Sequence, residues 1–281
     1  MNRLLSANFA RLWRSKIFYG SALFMIGYSI FFYRDVYITI YVKHKAYTNW
    51  NLGFFGGLLP IGIVLAIFVS FYIGTEYAGG TIRNKIAAGH SRFHIYVANL
   101  LVCYAAAVIM MTVYCTMSMV TGVILVGRET ISGIWKPGWG VVMSLFILIA
   151  YTAILVFVVM VDMNTARTGI VSMVLAMLIL AAGIVVVQYL EMPEYAVRLE
   201  EVQDASGEMV TVETIVYNSR YLSGEKRELY ERAKLILPSC QVMEVMNRDV
   251  EYSVKQPAGM AGIALVFTAA GIWIFKEKDI R

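Results

Sequence analysis

The chain has 281 residues, of which 59% are hydrophobic and 15% charged, and its mean hydropathy is +0.66. That apolar share exceeds the roughly 45–50% of a soluble domain and excludes an ordinary water-soluble fold. The net charge of +5 divides unevenly: residues 191–255 hold 13 acidic and 8 basic side chains, and the remainder holds 16 basic and 6 acidic. The basic residues cluster at the ends of apolar runs, a pattern of membrane topology and lipid headgroup contact rather than of nucleic-acid binding. Cys103, Cys115 and Cys240 form no CxxC pair, which argues against a disulfide framework or a zinc site.

Before the first apolar run, Leu5, Phe9, Leu12 and Trp13 fall on one side of a helical wheel and Arg3, Arg11 and Arg14 on the other. Such a helix is expected to lie in the inner headgroup layer, with a plain basic anchor as the alternative. A basic stretch followed by an apolar one resembles a signal peptide, yet no small-x-small cleavage site lies between Phe32 and Arg34-Asp35, so an uncleaved span is expected.

A bilayer core about 30 Å thick requires about 20 apolar helical residues. Six charge-free runs near that length are present: Ile17–Tyr33, Phe54–Ile73, Ile95–Val126, Val141–Val161, Ile170–Leu190 and Ala258–Phe275. In the second run, Gly56, Gly57, Pro60 and Gly62 mark a site of close packing or a bend. In the third, Tyr104, Thr112, Tyr114 and Thr116 are positioned to line an amphiphile path or simply to pack. Lys and Arg in the short flanks favour cytoplasmic termini and a cytoplasmic loop around Arg83, Lys85 and Arg92, leaving Arg34, Lys43, Lys45, Arg128 and Lys136 outside.

The fold class expected is an all-α polytopic membrane protein with six transmembrane helices and an extracellular α+β insertion between the fifth and sixth. The divisions expected are an interfacial helix (1–16), five spans with a cytoplasmic helix at about 76–92 (17–190), the outer segment (191–257), and the sixth span with its tail (258–281). Within the outer segment, alternation from Met209 to Tyr217 after the turn signal Asp204-Ala205-Ser206-Gly207 predicts a hairpin. Ser223 is the expected cap of a following helix that stops near Pro238 and carries Leu229, Ala233 and Ile236 on one face, which is expected to pack on the outer ends of the spans.

The most informative segment runs from Glu76 to Arg92, between the second and third spans. Thr81 is the expected cap, Ile82 and Ile86 share a face at helical spacing, and Gly89 suits a left-handed helix stop. A short, rigid, basic helix tied to two spans can pass rigid-body motion between them and a soluble partner. The plainer alternative is an ordinary positive-inside loop.

The run GTEYAGGTIRNKIAAGHSR, with a last span leading into Ile274-Phe275-Lys276-Glu277-Lys278-Asp279-Ile280-Arg281, resembles the permease subunits of ABC-2-type ABC transporters. The resemblance implies an interfacial helix at Leu5, Phe9, Leu12 and Trp13. It also implies a coupling helix that seats on a separate ABC ATPase through Glu76, Thr81, Ile82, Arg83, Asn84, Lys85 and Ile86. It further implies a second permease as partner, identical or related, and short helices in Leu222–Met246 that cap the exit side. The chain has no GxxxxGK[ST] phosphate loop, so ATP and Mg are expected on the partner ATPase and no cofactor on this chain.

Three other readings remain open on the sequence. An ion-coupled transporter usually places ionisable side chains inside its spans, and runs two to six contain none within the limits above. A membrane enzyme is disfavoured because His90 and His94 lack the glutamate of HExxH, and no catalytic constellation is present. A non-transporting sensor or immunity subunit would use the acidic outer segment to attract a cationic peptide.

Overall fold

The structure, a computed structural model, describes residues 1–39, 50–126, 138–162, 164–203, 209–247 and 253–278. The basic loop residues Lys43, Lys45, Arg128 and Lys136, the turn signal at 204–207 and the tail from Asp279 lie outside these residues. Helix α1 (Asn2–Leu12) is followed by Ser15, whose hydroxyl accepts a hydrogen bond from the Phe18 amide at 3.3 Å and starts α2 (Lys16–Val36). The second span is broken in two, α3 (Trp50–Phe55) and α4 (Leu58–Ala78), and leads into the short α5 (Thr81–Ala87). Then come α6 (Arg92–Val126), α7 (Gly138–Asp162) and α8 (Thr165–Glu191). A hairpin of β1 (Tyr195–Gln203) and β2 (Met209–Tyr217) precedes α9 (Glu225–Ile236), α10 (Pro238–Met246) and α11 (Lys255–Glu277).

Among the described residues six helices are long and apolar enough to cross a membrane: α2, the broken α3–α4, α6, α7, α8 and α11. Most of α4 and α7 is enclosed by other helices, whereas α2, α8 and α11 are peripheral and expose large apolar side chains such as Phe31, Leu178 and Leu265. Those side chains need no protein partner where lipid is the solvent. Every span outruns its charge-free core, because polar residues at helix ends reach the headgroup layer. The largest consequence is that α4 continues past Ile73 and carries Glu76 within the helix.

The break at Gly56-Gly57 falls ahead of Pro60, which sits in the first turn of α4 and so removes no helical hydrogen bond. Carbonyls freed by the break are taken up by α6: the Tyr114 and Ser118 hydroxyls donate to the Gly53 oxygen at 2.9 and 2.8 Å. A side chain at Gly57 would collide with the Tyr114 ring and one at Gly62 with Tyr151, so these glycines serve close packing. Tyr114 is therefore fully buried structure rather than the lining of a path, while Thr112 and Thr116 do border a groove.

The hairpin pairs antiparallel from Tyr195↔Tyr217 to Gln203↔Met209, matching the expected strand over 209–217. Helix α9 departs from expectation in two ways. Its cap is Gly224, at φ 59°, with no side-chain contribution from Ser223, and Leu229 and Ile236 are exposed instead of docked on the spans. The anchor is α10, which starts with Pro238 in its first turn and buries Cys240, Val242 and Val245 against α8, α7 and α3. Gly183 of α8 makes this possible, since a side chain there would meet Ser239 and the Cys240 amide nitrogen.

Overpacking such a contact costs about 1–3 kcal/mol. Gly183→Leu is therefore expected to lower the thermal unfolding midpoint and to speed maleimide labelling of Cys240 while Cys103 stays protected. Unchanged labelling would show that α10 does not depend on this contact.

Candidate functional site

Two glycines in the left-handed region bracket α5: Gly80 at φ 65° turns the chain out of α4, and Gly89 at φ 85° stops the helix as expected. Thr81 is not the cap, because the cap position is Gly80 and no side chain bonds the first turn. Thr81, Arg83, Asn84, Ala87 and Ala88 are exposed, whereas Ile82, Lys85 and Ile86 face the bundle. The helix thus has an inward edge at i, i+3, i+4 spacing and an outward polar face.

The inward edge is held by one carboxylate. Glu76 is 1% exposed and is the only fully buried charged side chain among the described residues. Its Oε1 pairs with Arg11 at 2.7 Å and with the Lys85 ammonium, and its Oε2 accepts from Asn99 Nδ2 at 3.0 Å. Asn99 Oδ1 accepts from Asn8 Nδ2 at 2.9 Å, and Asn8 Oδ1 accepts from Lys85 Nζ at 2.9 Å, closing a ring of polar contacts. Tyr72 adds a bond from its hydroxyl to the Asn8 carbonyl at 2.7 Å, and the Arg11 guanidinium lies 3.9 Å from the Tyr72 ring centroid. Burial pushes the Lys85 ammonium below the ordinary lysine value, and the Glu76 charge opposes that shift. One side chain of α4 therefore ties together α1, α5 and α6.

This arrangement corrects the expected roles of several residues. Glu76 and Ile82 are enclosed by the chain itself and are not on the face open to a soluble partner. In α1 the buried stripe is Leu4, Asn8 and Leu12; Leu5 and Phe9 are half-buried and Trp13 is exposed. Arg11 turns inward to Glu76 instead of outward to headgroups, because a buried carboxylate outcompetes a solvated site for a nearby cation. The apolar wheel of α1 could not reveal this, since the signal was the lone Asn8 and its partner lies 91 residues away.

The same end of the bundle is tied by cations on helix carboxyl ends. Arg92 Nη1 donates to the carbonyls of Phe275 and Lys276, each at 3.0 Å, and to that of Lys278. Lys278 in turn donates to the Val161 carbonyl at the end of α7. Thr165 bonds the Gly74 carbonyl at 3.0 Å and Tyr77 bonds that of Met160 at 3.0 Å. Ser91 Oγ lies 2.8 Å from His94 Nδ1 and 3.3 Å from the His94 amide, so His94 belongs to the start of α6.

The family model described as ABC-2 family transporter protein matches residues 4–183, from α1 into α8. The chain belongs to that family. It is an ABC-2 membrane transport component, and the α1–α5–α6 latch lies wholly inside the matched region. The hairpin and α9 to α11 lie beyond the match. No curated protein matches this ABC-2 chain.

Removing one partner of a buried charge pair costs about 3–5 kcal/mol, because the other charge is left uncompensated. Glu76→Gln is expected to lower thermal stability by a large part of that range, while keeping the Asn99 contact. In double-mutant cycles the Glu76–Lys85 coupling should exceed the Glu76–Arg11 coupling, since Lys85 is 12% and Arg11 29% exposed. Equal, near-zero couplings would show that the cluster is solvated.

Proposed function

We propose that this ABC-2 chain is the permease subunit of an exporter driven by separate ABC ATPase subunits, with α5 as the coupling helix. The observation that carries this reading is the Glu76 latch, which fixes α5 to the ends of α4 and α6 and to α1. A helix held this way moves with the spans, so force on its outward face is transmitted rather than absorbed. Arg83, Asn84 and Ala87 on that face are the contacts assigned to the ATPase. ATP and Mg²⁺ belong to that partner, and a second permease, identical or related, completes the transport path.

In this reading α1 lies on the inner leaflet, both termini and α5 are cytoplasmic, and the hairpin with α9 and α10 is outside. The basic residues around α5 support that orientation. The cargo assigned is an amphiphile such as a peptide, antibiotic or lipid. An apolar groove of about 330 Å³ between α3, α6 and α7, bordered by Phe54, Thr112, Cys115 and Thr116, supports it.

An ion-coupled mechanism gains little from Glu76, although the carboxylate lies within a span. Two cations and an amide already occupy its oxygens, which marks a structural pin rather than an exchanging ion site.

With the ATPase subunits reconstituted, Arg83→Glu and Ala87→Trp are expected to leave membrane insertion and thermal stability unchanged while abolishing cargo-stimulated ATP hydrolysis and export. Normal export by both variants in vesicles would remove the coupling role. Separately, Thr81→Cys should react with an impermeant maleimide only in inverted membranes; labelling in right-side-out cells would reverse the orientation.

A further inference from the structure

The cations at the α5 end of the bundle fall into two groups. Arg11 and Lys85 pair with Glu76, Arg92 and Lys278 close helix carbonyls, and Arg167 pairs with Asp162. Arg14 and Lys16, on either side of Ser15 at the elbow between α1 and α2, are exposed and make no ion pair among the described residues. Nothing near them in the sequence neutralises them, since no Asp or Glu occurs before Asp35. The elbow itself is fixed: the Tyr19 hydroxyl donates to the Trp13 carbonyl at 3.0 Å, and the Trp13 and Phe18 rings meet edge to face at 5.7 Å. Trp13 and Tyr19 are both exposed, and an indole and a phenol beside two free cations suit the boundary between lipid headgroups and hydrocarbon.

Below the elbow the outward face of α2 is shaped rather than flat. At about 100° per residue, Lys16, Gly20 and Gly27 fall within about 40° of one another around the helix and so follow one line along it. Tyr19, Leu23 and Ile30 form a ridge on one side of that line, and Phe24 and Phe31 form a ridge on the other; all five are exposed. A side chain added at Gly20 or Gly27 would meet nothing within 4 Å, so neither glycine serves packing inside the chain. The result is a furrow about 16 Å long that leads away from Lys16. That length matches one leaflet of a hydrocarbon core about 30 Å thick.

We propose that this face of α2 binds one anionic glycerophospholipid. Its phosphate lies against Arg14 and Lys16, and one acyl chain lies in the furrow over Gly20 and Gly27. Charge selects this occupant over a second copy of the chain. In a two-fold pair through this face Lys16 would meet Lys16, with no carboxylate in the first 34 residues of either copy to separate them. A zwitterionic lipid fills the furrow as well, but its headgroup brings a cation of its own to the elbow. The proposal does not rest on the exporter reading, because binding is measured with no ATPase and no ATP.

The test is native mass spectrometry of the purified full-length chain released from detergent micelles, titrated with phosphatidylglycerol or phosphatidylcholine of identical acyl chains. The first phosphatidylglycerol should bind with a Kd about fivefold below that of the first phosphatidylcholine. The double variant Arg14→Gln/Lys16→Gln should make the two lipids equal. Gly20→Leu/Gly27→Leu fills the furrow and should weaken both lipids by about fivefold or more, with the thermal unfolding midpoint preserved. Both double variants change only exposed positions. Equal Kd values for the two lipids on the unaltered chain would overturn the proposal, as would a preference that survives loss of both cations. Undiminished phosphatidylglycerol binding by the leucine variant would reduce the effect to diffuse surface charge and overturn it too. So would a lipid-free dimer that the leucine variant abolishes.

Discussion

A single carboxylate with no access to water organises the end of the bundle that carries α5. Glu76 is tolerable at that depth because two cations and an amide surround it. The geometry has a mechanical consequence. Arg11 comes from α1, Lys85 from α5 and Asn99 from α6, so displacing any one of these helices strips a partner from a buried charge. Apolar packing alone would let α5 slide along the ends of the spans at small cost; an enclosed ion cluster holds it to one position.

The two ends of the molecule are built on different physics. At the α5 end, cations close helix carboxyl termini: Arg92 caps α11, and Lys278 caps α7. At the opposite end close glycine contacts carry the packing, beside the Lys234–Glu244 ion pair at 2.6 Å. Gly183 admits Ser239, the Ser239 hydroxyl bonds the Ile179 carbonyl at 2.6 Å, and Gly259 approaches the Leu235 carbonyl. The broken second span joins the two regimes. Its free Gly53 carbonyl is satisfied by α6, and Phe54 borders the groove between α3, α6 and α7. Irregular backbone at membrane depth is stable only where protein takes up its hydrogen bonds, and Tyr114 and Ser118 do so.

Most of the architecture was legible in the order of residues. Apolar runs of bilayer length give the six spans, and alternation from Met209 to Tyr217 gives one strand of the hairpin. Gly89, at φ 85°, stops α5 as its place in the sequence signals, whereas the helix start belongs to Gly80, at φ 65°, and not to Thr81. Less was legible of the site. The charge-free run of the second span ends at Ile73, which set Glu76 apart from that span, in the cytoplasmic segment at about 76–92. The wheel of α1 grouped Leu5, Phe9, Leu12 and Trp13 and did not mark Leu4 or Asn8. Both misreadings have one cause: local patterns report average polarity, and neither carries information on a partner dozens of residues away.

The sequence by itself determined a membrane protein of six candidate spans with a basic helix between the second and third. Those properties follow from composition, periodicity and short-range backbone preference, which act within a few residues. Only the tertiary structure decided which side of α5 is free and that Arg11 turns inward. These depend on distances between helices far apart in the chain, where a buried charge or acceptor selects its partners by proximity in space.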